Sequence, residues 1–85
     1  MKHASAETLD SLNDLLTGIR HHCPPIKEKK PGVFYLKSSA LLHFHDDPVG
    51  IFADLKIDSD WVRYRVNTPQ ERTMLLTAIE ERVGR

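Results

Sequence analysis

Between residues 40 and 66 the apolar side chains recur at every second position in three successive segments. The sets are Leu42 and Phe44, then Ile51, Ala53, Leu55 and Ile57, then Val62, Tyr64 and Val66. A period of two is that of a β-strand with one face buried. A slip of one residue would turn a whole set toward water, so the pattern fixes the face as well as the element type. VFYLK, at 33–37, has the same β-branched and aromatic character. The strands expected are therefore about 33–37, 40–46, 50–58 and 61–66, the first two being also compatible with one strand bent through Ser38 and Ser39. Asp46-Asp47-Pro48-Val49-Gly50 and Asp58-Ser59-Asp60 are turn formers, so neighbouring strands should pair antiparallel.

A sheet with one apolar face needs something to cover it, and two amphipathic segments supply that. Leu9, Leu12, Leu15, Leu16 and Ile19 fall at spacings of three and four, which predicts a helix over about 5–22. Ser5 is placed to cap it, with Glu7 in the first turn, and Arg20, His21 and His22 lie where the dipole favours cations. Gly18 is a propensity defect at which that helix is expected to fray or stop. Pro24 and Pro25 end it, and PPIKEKKPG at 24–32 reads as a stiff, exposed basic loop. Thr68-Pro69-Gln70-Glu71 has the form of a capping box with proline at the first helical position. A second helix over about 69–83 follows, with Leu75, Leu76, Ile79 and Val83 on one stripe and Gly84 as a left-handed stop.

The fold class expected is thus α+β, in the order α-β-β-β-β-α: a three- to four-stranded antiparallel sheet with two helices packed on one face. The 85 residues make one domain, 1–85, with no room for a second core or a deep private pocket. Net charge is zero, so no global field draws the chain to nucleic acid or to an anionic membrane. The single cysteine, Cys23, cannot close an internal disulfide, and no apolar run has the length of a membrane span or a signal core. The expectation is a cytoplasmic protein without membrane contact. A core this small also gains from dimerisation, which makes a homodimer an open alternative.

The run KPGVFYLKSSALLHFHDDPVGIFADLKI, followed by a strand and a C-terminal helix, resembles small bacterial α+β domains and, distantly, the MmcQ/YjbR group. The likeness spans residues 29 to 83 and rests on Pro31-Gly32-Val33-Phe34 entering a strand and Leu55-Lys56 closing a later one. That group is described as DNA-binding largely by fold likeness. What the resemblance implies is a fold, not an activity, and it assigns no functional residue.

The positions alternating with the apolar sets are His43, His45, Phe52, Asp54, Lys56, Trp61, Arg63 and Arg65. They define a polar face interleaved with two large aromatic rings, whose exposure calls for a cover. This is the candidate binding face. His43 and His45 project to one side and could share a metal ion with Asp54, but H-x-H is a short pattern and strand His beside Asp is also ordinary cross-strand pairing. No metal or other cofactor is therefore assigned. His21, His22 and Cys23 point about 100° apart along a helix and make no ligand set. Their bland reading is a helix end with a small buried thiol. Lys27, Lys29, Lys30 and Lys37, with the Lys56, Arg63, Arg65 patch beside Trp61 and Phe52, have the composition of a single-stranded nucleic-acid platform. Neutral net charge, Asp54 within the patch and the lack of an RNP-like motif weigh against it.

No nucleophile elbow, phosphate-cradling glycine loop or pair of carboxylates at a defined cleft can be found, so catalysis is disfavoured and no catalytic residue is assigned. An acid–base pair of His43 or His45 with Asp54 in a dimer cleft is the one catalytic alternative. The reading is a non-enzymatic binding or interaction domain that meets another protein or a second copy through this face. Nucleic-acid binding by the same face is the alternative, and a metal or ligand site around His43 and His45 the third.

Overall fold

The computed structural model describes residues 2–84. In chain order the elements are β1 (Lys2–His3), α1 (Ala6–Ser11), α2 (Asn13–His22), β2 (Ile26–Lys30), β3 (Val33–Leu36), β4 (Ser39–Asp47), β5 (Gly50–Ile57), β6 (Asp60–Arg65) and α3 (Pro69–Val83). Five strands form an antiparallel sheet in sequence order, β2-β3-β4-β5-β6, and β1 pairs with the far end of β4 through His3 and His45. The α+β class and the antiparallel meander agree with the sequence expectation. Among the described residues no helix is long and apolar enough to cross a membrane.

Alternation sets the two faces. Phe44 pairs with Ala53, and Leu42 with Leu55, in one register, and all four are buried with Leu12, Leu16 and Ile19 of the N-terminal helical segment and Leu75 and Ile79 of α3. The helices thus cover one face only. Leu41 and Leu42 are both buried although consecutive, because the β3–β4 register shifts between Phe34 and Tyr35 and leaves Leu41 as the extra residue of a bulge.

Several expectations are corrected. The first helix is two, broken at Leu12, whose N–H bonds back to Leu9 while the Ser11 hydroxyl takes the Thr8 carbonyl. It does not stop at Gly18, where a Cβ would already meet Leu76 of α3 at 3.4 Å, so the glycine lets α2 and α3 approach. Residues 26–30 are an edge strand, not a loop. The prolines flank IKEKK rather than interrupt it, Ile26 is buried, and Glu28 ties the strand to α2 through Arg20 at 2.7 Å and to Gly32 N–H at 2.9 Å. Exposed lysine on such an edge opposes pairing with another chain.

The segments 33–37 and 40–46 are separate strands, since Lys37 adopts φ 59 and closes a turn between Leu36 and Ser39. Val62, expected in the core, is 37% exposed, on the outer strand β6, which has a neighbouring strand on one side only. Gly84 is right-handed, φ −75, and satisfies its N–H at Glu80, so no left-handed stop is used. The Thr68 capping box is present in full. Asn67 extends it by clamping Ile51 N–H at 2.9 Å, and Arg72 and Arg82 of α3 donate to the carbonyls of Val66 and Lys56.

Candidate functional site: the helix-free face of the sheet

Cross-strand register brings the alternate residues into rows. His43 lies opposite Asp54 and Asp54 opposite Arg63; His45 opposite Phe52 and Phe52 opposite Arg65; Lys56 opposite Trp61. Side chains directly opposite in a sheet share a face, so all eight candidate residues are together on the side that the helices leave bare.

The third histidine of the face was not foreseen. β1 sets His3 beside His45, with ring centres 5.5 Å apart, 6.0 Å from His3 to His43 and 6.1 Å from His43 to His45. A two-residue strand has no periodicity to read, and nothing local in the sequence marks His3. Its placement depends on Ala4 N–H bonding to the Phe44 carbonyl at 3.0 Å and on Asp46, which accepts Ser5 N–H at 3.0 Å and the Thr8 hydroxyl at 2.6 Å. The His43-to-Asp47 motif therefore divides by parity: two imidazoles to the bare face, Asp46 to the start of α1, and Asp47 to its turn through Val49 N–H.

Asp54 is the hub of the cluster. Arg63 grips its carboxylate with two bonds, 3.0 and 3.2 Å, and His45 Nε2 lies 3.1 Å from the same group. With its oxygens so engaged, Asp54 orients His45 rather than standing open as a ligand. His45 Nδ1 is buried without a hydrogen-bond partner. His43 is held below the ordinary histidine range by burial, then by the neighbouring His45 and His3, against the opposing pull of Asp54. The Asp54 hydrogen bond pushes the Arg63 guanidinium up from its already high value. Among the described residues no three His, Cys, Asp or Glu are arranged to hold a metal ion.

The two aromatic rings behave differently. Phe52 is buried, 8% exposed, with the guanidinium groups of Arg63 and Arg65 at 5.6 and 5.4 Å from its centre. It needs no partner to cover it, which corrects half of the expectation. Trp61 is 45% exposed, with the His43 ring at 4.9 Å and the Lys56 ammonium at 5.7 Å from its centre. His21 and His22 are exposed and Cys23 is in the core, so those three share no site. Burial, helped by Glu80, pushes the Cys23 thiol up, the opposite of what a nucleophile needs.

Charge is segregated within a neutral chain. By register the bare face carries Lys27, Lys30, Lys56, Arg63 and Arg65, with Lys29 over the Tyr35 ring, against the carboxylates of Asp47 and Asp54. The three helices carry Glu7, Asp10, Asp14, Glu71, Glu80 and Glu81 against Arg20, Arg72 and Arg82. Comparison with protein-family models, with curated proteins and with solved structures finds no match for this chain.

Proposed function

We propose that this chain is a non-enzymatic binding domain that docks an acidic segment of a partner protein on its helix-free sheet face. The observation that carries this is the segregation of charge: a chain of zero net charge sets six basic side chains against two carboxylates on the one face that its helices leave open. Such a face steers and orients an anionic partner while the acidic helical side repels it. A protein is favoured over single-stranded nucleic acid by the state of the rings. Base stacking needs free aromatic faces, whereas Phe52 lies under two guanidinium groups and Trp61 is flanked by His43 and Lys56.

Trp61 is the only tryptophan in the chain and sits on the face, so its fluorescence reports directly on occupancy. A Glu-rich peptide should shift its emission with an affinity that falls as salt rises, and Arg63→Glu with Arg65→Glu should abolish the shift. An oligonucleotide that shifts it in place of the peptide would transfer the face to nucleic acid. Silence toward both would remove the face as a docking surface.

Self-association along β6 is the second reading, because this outer strand exposes Trp61 on one side and Val62 on the other. Sedimentation at micromolar concentration distinguishes it, a monomer excluding it.

A further inference from the structure

The outer edge of β4 is shared between two strands. Val33 of β3 pairs with His43, His3 of β1 pairs with His45, and the changeover falls at Phe44, where Ala4 takes the carbonyl. The seam between β1 and β3 opens into a cavity of about 400 Å³, within the range of small-molecule sites. His3 and His43 line it together with Lys29, Lys30, Val33 and Tyr35, and among the described residues no carboxylate does. Lys29 lies over the Tyr35 ring at 5.7 Å, so an ammonium is already held at its wall. A cationic ligand would be repelled by this lining, and a neutral one would leave both ammonium groups without a counter-charge. The volume exceeds that of a bare inorganic ion, and Val33, Ala40 and Tyr35 supply apolar surface for a ring.

We propose that this cavity binds a small molecule bearing an oxyanion, carboxylate or phosphate, on an aromatic or short apolar body. Lys29 and Lys30 meet the charge, and the imidazoles of His3 and His43 hydrogen-bond it. The inference rests on the reading that the helix-free face takes anions, and it names a ligand for one end of that face. The acceptor group also bears on His43. The groups that face this imidazole are His3 from β1, His45 on its own strand, Asp54 from β5 with Arg63 beyond it, Lys56 beside Trp61, and Lys30 across Val33. Only Asp54 among them favours the imidazolium, and a bound anion adds a second such group. Binding of a carboxylate, which stays ionised over this range, therefore takes up a proton and tightens as pH falls from 7.5 to 5.5.

Amide resonances in the ¹⁵N spectrum of the intact chain test this with benzoate, phenyl phosphate and benzamide. One or both anions should move the signals of His3, Gly32 and His43, and benzamide, the neutral counterpart of benzoate, should bind at least about tenfold more weakly, roughly 1.4 kcal/mol. Which anion binds more tightly separates a carboxylate from a phosphate ligand. Lys29→Ala with Lys30→Ala should weaken the anion about tenfold with the rest of the spectrum unchanged, and His43→Gln should reduce the pH dependence measured with benzoate, His3 keeping the remainder. Benzamide binding as well as benzoate, or shifts that fall away from the seam, would overturn the assignment without recourse to any variant. Loss of both anions while the Glu-rich peptide still binds overturns the cavity alone. Loss of all three ligands overturns the anionic face beneath it.

Discussion

Phe44 and Phe52 stand on neighbouring strands and are almost equally buried, 2% and 8% exposed, yet they face opposite sides of the sheet and are covered by different things. Phe44 is enclosed by a core drawn from the helices and the adjoining strands. Phe52 is enclosed by two arginine side chains, one of which, Arg63, is itself half exposed. Equal accessibility thus hides unequal protection. A helix held by its own backbone bonds cannot withdraw without unfolding, whereas Arg65 can swing into water by giving up its contact with the ring, and Arg63 by giving up that and its two bonds to Asp54.

The largest expected effect lies on the covered face. Phe44→Ala should cost about 3–5 kcal/mol, a large share of the roughly 4–13 kcal/mol that about 0.05–0.15 kcal/mol per residue gives a chain of 85 residues. Phe52→Ala should cost about 1–3 kcal/mol, since the arginines that cover it can collapse or rehydrate around the gap. Urea denaturation midpoints measure both. Equal losses would mean that arginine covers a ring as firmly as a packed helix, and the contrast between the faces would fail. Next in size is the anchor of the covering helix. Thr68→Ala removes the side-chain acceptor for Glu71 N–H and should lower stability by about 1 kcal/mol. An unchanged midpoint would show that Arg72, Arg82 and Asn67 hold α3 without its cap.

How much of this was legible follows from which interactions are local. The Thr68 box and the start of α3 are written in four consecutive residues, and the structure reproduces them, while the alternation in 40–66 set the faces of β4 and β5. The faces of β6 were legible too, but not that Val62 would be exposed, because burial depends on sheet order, which no local pattern encodes. β2 was hidden by its prolines, which mark the turns on either side of a strand as readily as a loop. His3 was hidden because its position is decided by bonds to residues about 40 positions away, Phe44 and Asp46. Phe52 was placed on the correct face, with its cover misjudged. Period two tells where a side chain points, not what folds over it.

The smallest effect concerns acid, and it divides the faces once more. Among the described residues the covered face buries no charged side chain, so its stability should not respond to pH near neutrality, whereas the bare face holds His43. Burial and the neighbouring His45 and His3 keep its folded pKa below the ordinary 6.5. As pH drops through the ordinary value the unfolded chain takes up the proton first. Stability is therefore full above that value and is lost between it and the lower folded pKa, beyond which the curve is flat again. Glu28 gives a second, separate window. Burial alone would raise its carboxyl, but Arg20 and the Gly32 N–H outweigh that and hold it below 4.5, so its contribution disappears only as pH falls through the carboxylate range. Urea midpoints at pH 7.5, 6.0, 5.0 and 3.5 should show both steps, the first a fraction of one proton. His43→Gln should erase the first and keep the second. A midpoint that instead rises from pH 7.5 to 5.0 would mean that His43 gains an ion pair with Asp54 on protonation. Arg63 and His45 would then have released that carboxylate, and the arrangement on the bare face would be a different one.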